Sequence, residues 1–239
     1  MKIRSDYRGS YMNLNNRGSV QSINISDYLD LVLYYLIIVL VVVFTVMSII
    51  IRTGLKRKIA LRHVEDNYWL EIIWITLPAW ILLLIGIRSI WLLYSIEEIV
   101  EGSITVKVTG VQWYWKYNIS DSIGNSISFD SYTLNDEDVS LFRLIEVDNV
   151  LYLRVLTNIR LLVTSLDVIL SFAVRSLGFK VDAVRCRLNS NSLCILRRST
   201  YIGYCSELCG NSLSKMNIVV KGVSLNDFLV WFDQWKEEM

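Results

Sequence analysis

The sequence predicts a membrane-anchored all-β protein, in which a two-helix transmembrane hairpin leads into a β-sandwich or Greek-key barrel closed by a C-terminal helix. Three observations carry this. Residues 31–51 read LVLYYLIIVLVVVFTVMSIII without one charge, and a helix of that length crosses a hydrocarbon layer of roughly 30 Å. A second apolar run, Ile72 to Ile87, lies among Trp69, Trp74, Trp80, Trp91 and Tyr94, amphipathic rings that favour the membrane–water interface and extend the run to a full span. After Glu101 the long apolar runs give way to short segments with strand periodicity.

The elements follow in order. Residues 1–27 are polar and mixed in charge, and they lack an apolar core followed by a small-residue cleavage site, so they are expected to form an external arm rather than a cleaved signal. The hairpin is expected over 28–100, with spans at about 28–51 and 70–94. Its linker sets Arg52, Lys56, Arg57, Lys58 and Arg62 against Glu65 and Asp66, and that basic excess places it on the cytoplasmic or matrix side. Both ends of the hairpin then face the opposite compartment. Glu71 sits just inside the second run, where an acid is costly and marks a functional candidate. The plainer reading is an interfacial carboxylate paired with Arg62 or His63.

Residues 101–239 are expected to form the β-domain. Ser103–Thr109, Gln112–Ile119, Arg143–Val147, Leu151–Leu156, Arg160–Ser165, Val181–Val184, Ser192–Leu196 and Met216–Val220 are short and rich in Val, Ile, Leu, Tyr and Trp, with turns at Gly124-Asn125 and Asp148-Asn149. On the Trp-Tyr-Trp segment, Trp113 and Trp115 are expected on one face. The helix spans Ser224 to Glu238: Ser224 caps it, Asp227 lies in the first turn, and Leu225, Phe228, Leu229, Phe232 and Trp235 make one apolar face.

Composition narrows the function. Net charge is +1 and the arginines are scattered, so nothing argues for nucleic acid as a partner. Cys186 and Cys194 lie among apolar strand residues and are expected to be free, buried thiols. Cys205 and Cys209 differ, because with Met216 they put two thiolates and a thioether in one short segment, soft donors that select copper or an iron–sulfur group. A redox disulfide stays open on spacing alone, and structural zinc wants a fourth ligand.

The surrounding segments are more specific. Val163-Thr164-Ser165-Leu166-Asp167-Val168, Ser176 to Ala183, Arg187-Leu188-Asn189, Gly203 to Gly210 and Met216 to Val220 together resemble subunit II of cytochrome c oxidase. So do Gln112-Trp113-Tyr114-Trp115, Ser128 to Tyr132, Arg143 to Asn149, and Glu71-Ile72-Ile73-Trp74 with Leu77-Pro78 in the second span. The resemblance implies a cupredoxin-like domain in the intermembrane space, on a subunit of the mitochondrial inner membrane. There a dinuclear copper centre (CuA) takes electrons from cytochrome c and passes them to haem in subunit I, coupled to oxygen reduction and proton pumping. It implies Cys205 and Cys209 as bridging ligands, Met216 as a thioether ligand and Glu207 as a donor through its backbone carbonyl. Glu207 is also implied, through its side chain, as a magnesium ligand at the subunit I boundary. Trp113 is implied as the electron-entry residue and Glu71 as the mouth of a proton path. Subunits I and III, cytochrome c and membrane lipid are the implied partners, and Asp121, Asp130, Asp148 and Asp167 are candidates for the acidic docking face, Asp148 and Asp167 foremost.

This chain departs from the family pattern in two ways. The histidines that complete the copper site fall on Leu170 and Leu213, and the only histidine in the chain is His63. Arg88, Arg175, Arg185 and Arg198 stand where the family usually has proline, and Pro78 is the only proline. Replacement of one kind, repeated, points to a written sequence that differs from the translated one, through transcript editing or an unusual code. If the leucines are real, the alternative is a copper-free subunit that stabilises subunit I, with Cys205 and Cys209 as thiols or a disulfide. A quinol-oxidase subunit is a third reading, opposed by the retention of both cysteines, Glu207, Met216 and Trp113.

Overall fold

A computed structural model describes residues 17–57, 67–98, 102–121, 124–134, 145–210 and 216–237. Helix α1 (Val20–Arg57) begins ahead of the expected span because Ser19 caps it. The Ser22 N–H donates to Ser19 Oγ at 3.1 Å and the Ile23 N–H to the Ser19 carbonyl at 3.2 Å, satisfying donors that a helix start leaves open. Arg17–Ile25 belong with the β-domain, and Ser26–Ser95 form a separate unit. Gly18 donates its N–H to the Ser176 carbonyl and accepts from the Leu196 N–H, and Gln21 Nε2 donates to the Ser192 carbonyl at 2.7 Å.

In the second unit, α1 continues and α2 (Tyr68–Glu97) follows, each long and apolar enough to cross a membrane. Three of their hydroxyls are satisfied within the helix, as a bilayer favours. Thr45, Thr53 and Thr76 each donate their hydroxyl to the carbonyl four residues back, at 2.7 Å. Glu71 lies in the first turn of α2 and is exposed, where the positive end of the helix dipole favours a carboxylate. Its expected partners, Arg62 and His63, and the linker residues Lys58, Glu65 and Asp66 lie outside the described residues.

The β-domain packs two five-stranded sheets face to face. Strands β1 (Ile104–Val111), β2 (Tyr114–Asp121), β3 (Ser126–Ser131), β5 (Asn158–Ser165) and β8 (Asn189–Cys194) form one, in the order β3-β2-β1-β5-β8. Strands β4 (Leu151–Arg154), β6 (Leu170–Val174), β7 (Phe179–Ala183), β9 (Thr200–Cys205) and β10 (Asn217–Val223) form the other, in the order β4-β10-β9-β6-β7. The core lies between them and includes Val106, Val108, Trp115, Tyr117, Leu161, Leu170, Phe172 and Ile218. Helix α3 (Leu225–Glu237) seals one side, with Phe228 and Phe232 buried and Ser224 Oγ accepting the Asp227 N–H.

Several expected elements are corrected. The strand expected over Gln112–Ile119 starts only at Tyr114, because Gln112 and Trp113 form a two-residue turn between β1 and β2, with Val111 opposite Tyr114. Trp113 and Trp115 therefore do not share a strand face: Trp113 is 42% exposed and Trp115 fully buried. Of the strand expected at Arg143–Val147, Arg143 and Leu144 lie outside the described residues, and Val147 makes only an isolated bridge to Thr133. Strands β3, β6 and β9 were not expected from periodicity. Cys186 is not a buried strand thiol; it is exposed, with a positive φ of 61°. Arg175, Arg185 and Arg198 all reach the surface, and the Arg175 guanidinium lies 5.1 Å from the Tyr204 ring centroid.

Candidate metal centre

Three loops meet at one end of the sandwich. The first is the Gln112–Trp113 turn, the second joins β5 to β6 through Asp167, and the third carries Cys209 between β9 and β10. Asp167 locks the first two together: its Oδ2 accepts the Gln112 N–H and its Oδ1 the Val168 N–H, both at 2.8 Å. The Leu166 N–H adds a bond to the Gly110 carbonyl at 3.0 Å. The first loop holds the third through one acceptor, because the Cys209 carbonyl receives Gln112 Nε2 at 3.2 Å and Trp113 Nε1 at 3.3 Å. Sequence reading missed Gln112, whose two bonds tie all three loops, although it opens the Gln-Trp-Tyr-Trp motif.

The sulfur donors sit behind this turn. Cys205 ends β9, and its N–H donates to the Met216 carbonyl at 3.0 Å, extending the ladder in which Tyr204 faces Asn217. Cys205 and Met216 are thus opposite each other, and side chains at opposite positions share a sheet face. Phe172 lies opposite Cys205 on its other side. Cys205, Cys209 and Met216 are all buried, and the Cys205 Sγ lies 3.6 Å from the Glu207 carbonyl oxygen. Burial, and then the neighbouring Cys205 thiol, push the Cys209 thiol up to about 11. The Glu207 side chain is exposed, and Leu208 beside it is 88% exposed.

Leu170 belongs to the same wall. It is two residues before Phe172 on β6, hence on the same face, and has no exposure. A Cβ built at Gly110 would lie 2.5 Å from Leu170 Cδ1 and 3.1 Å from Trp115 Cζ3, so the leucine fills the space over Gly110. Leu213 lies outside the described residues. Of the docking candidates, Asp167 is at the site, whereas Asp148 holds a separate turn by accepting the Tyr132 and Asn149 N–H groups at 2.7 and 2.6 Å. Asp130 pairs with Lys116 at 3.7 Å.

The periplasmic domain of cytochrome c oxidase subunit II matches residues 104–223, and the transmembrane domain of the same subunit matches residues 9–92. The chain belongs to the cytochrome c oxidase subunit II family. Cytochrome c oxidase subunit 2 of Kluyveromyces lactis is 42% identical over 86% of this chain and 85% of its own length. That of Schizosaccharomyces pombe is 42% identical over 88% and 87%. Among solved structures, the periplasmic domain of subunit II of Bradyrhizobium japonicum covers 59% of this chain and 99% of its own, at 34% identity and a TM-score of 0.54. Subunit II has also been solved as a mixed-disulfide intermediate with a thioredoxin-like protein, covering 59% and 96% at 33% identity and a TM-score of 0.51. The protein is accordingly a subunit of a cytochrome c oxidase, with a two-helix membrane anchor and a cupredoxin-like β-domain.

Family membership implies copper, and the residues answer only in part. Two buried thiols, a buried thioether and a carbonyl 3.6 Å from one thiol form a soft donor set that suits copper. The imidazole position on β6 does not fit, being hydrocarbon without exposure. No group of three or more His, Cys, Asp or Glu side chains that could hold a metal occurs among the described residues.

Proposed function

We propose that this subunit receives electrons from cytochrome c at the exposed face of Trp113 and delivers them through the Cys205–Cys209 loop toward haem in subunit I. The subunit lies in the mitochondrial inner membrane with its N-terminus and β-domain in the intermembrane space, against subunits I and III. Oxygen reduction and proton pumping are the work of the complex it serves. The observation that carries this is the Trp113 indole bond to the Cys209 carbonyl, a short covalent and hydrogen-bonded route from a solvent-facing ring to a buried thiol. Copper held by Cys205, Cys209, Met216 and the Glu207 carbonyl would supply one-electron transfer.

The remaining roles belong to the chain itself. Asp167 fixes the turn that presents Trp113 and adds negative charge beside it, which favours a basic partner; Asp148, on its own turn, is the second acidic docking candidate. The exposed Glu207 carboxylate is free to meet magnesium at the subunit I boundary, and Glu71 opens a proton path at the matrix side. Leu170 favours a second reading, a copper-free subunit that stabilises subunit I.

Trp113→Phe in the assembled complex separates them. It keeps an aromatic but loses the indole N–H, so electron entry predicts cytochrome c oxidation slowed by about tenfold or more, roughly 1.4 kcal/mol in barrier, at unchanged haem content. An unchanged rate would favour the stabilising role.

A further inference from the structure

The position where a dinuclear centre needs an imidazole is occupied by a buried leucine, while the sulfur donors around it are complete. Cys205 and Met216 are opposite each other on adjacent strands and so project to one face. Cys209 is buried in the same core cluster as Cys205 and Met216. All three sulfur side chains are nearly or fully buried, at 4%, 4% and 1% exposure.

Counting donors decides the stoichiometry. Two metals bridged by two thiolates each need further donors; the Glu207 carbonyl stands 3.6 Å from Cys205 Sγ, and the described residues hold no group of three or more His, Cys, Asp or Glu side chains that could bind a metal. Leu170 shuts the β6 side with Cδ1 packed over Gly110, and residue 213 is also leucine. One metal needs less, because two thiolates and a thioether complete a three-coordinate sulfur shell. Such soft donors select the cuprous ion, whereas cupric copper prefers nitrogen and oxygen donors in a tetragonal arrangement. We infer that Cys205, Cys209 and Met216 of this chain bind a single cuprous ion in an all-sulfur site, in place of the dinuclear centre.

The inference rests on copper reaching the loop assigned to electron entry, yet its test needs no turnover. The full chain, purified in detergent and reduced, is titrated with cuprous ion against a chromophoric cuprous chelator, and the copper K-edge of the product is recorded. Peptide mass spectrometry first establishes leucine at 170 and 213. The expected result is one copper per chain, a cuprous edge, a sulfur-only first shell and no electron paramagnetic resonance signal. Met216→Leu is expected to weaken binding at least about tenfold, while Leu170→His with Leu213→His gains a second copper and a mixed-valence signal. Two coppers with a mixed-valence signal in the leucine chain would overturn the inference, as would nitrogen in the shell, no binding, or histidine at either position. Failure of electron entry is read separately, as an unchanged cytochrome c oxidation rate in Trp113→Phe.

Discussion

Gly110 and Leu170 should be energetically coupled, and the size of the coupling follows from their contact. Leu170 has no exposure, so Leu170→Ala removes a fully buried side chain and should cost about 3–5 kcal/mol. A methyl at residue 110 would meet Leu170 Cδ1 at 2.5 Å, closer than carbon atoms approach, so Gly110→Ala alone should cost about 1–3 kcal/mol of overpacking. In the Leu170→Ala background that clash is gone, and of the three nearest atoms Trp115 Cζ3 at 3.1 Å and residue 170 Cβ at 3.4 Å remain. It then enters vacated space and restricts the unfolded chain, so it should be neutral or recover up to about 1 kcal/mol. The expected coupling is therefore about 2 kcal/mol. Urea unfolding of the four chains in detergent, followed by near-ultraviolet circular dichroism, measures it. Additivity within about 0.5 kcal/mol would refute the placement of leucine in the imidazole position over Gly110.

Three further outcomes are expected. Tyr117 is buried with its ring 5.5 Å from Phe129, and its hydroxyl has no partner among the described residues, so Tyr117→Phe should stabilise the domain by about 1 kcal/mol; a loss of stability would show that the hydroxyl is bonded. Burial raises the Tyr117 phenol far above its usual value, so its contribution is complete below the unfolded value near pH 10 and is lost as pH rises beyond it. Melting temperatures at pH 8 and pH 10.5 should then diverge more for the tyrosine chain than for the phenylalanine chain. In the metal-free chain, iodoacetamide at pH 8 should label exposed Cys186 well before Cys209, whose thiolate is about a hundredfold scarcer at a value near 11 than at the ordinary 9.0. Cys209 labelling should speed up as pH climbs toward 11, and equal rates at pH 8 would mean that the cysteine loop is open.

What could be read from the sequence divides along physical lines. The spans declared themselves because a bilayer forbids charge over some twenty residues, and α3 because Ser224, Asp227 and an apolar stripe signal the same start and face. Strands with alternating burial, such as β2 and β5, show period two. Strand β6 does not: all five of its residues are buried, so Leu-Ser-Phe-Ala-Val carries no alternation. In β9, Gly203 reads as a loop residue, although a Cβ there would collide with the Ala173 carbonyl oxygen and glycine is what lets β6 and β9 pair. The turn at Gln112–Trp113 hid inside an aromatic run that looked like one strand, because neither residue is a turn former.

The site separates in the same way. Soft donors are visible as residue types, so Cys205, Cys209 and Met216 stood out, but the bonds that aim them come from backbone carbonyls, which no residue type announces. Cys209 shows this best, since its carbonyl receives both Gln112 and Trp113 while its side chain is buried in the same core as Cys205. One residue thereby joins the surface of the domain to its buried sulfur. The replaced prolines bear on whether the chain folds as written. Arg175, Arg185 and Arg198 sit at exposed positions where a charge reaches water without leaving the backbone path, so the fold tolerates them. Leu170 lies where an apolar side chain packs better than an imidazole left without a metal, which would bury an unpaired polar group at about 1–3 kcal/mol. The leucine chain is therefore self-consistent as a fold, and stability supplies no pressure to restore histidine; only the metal does.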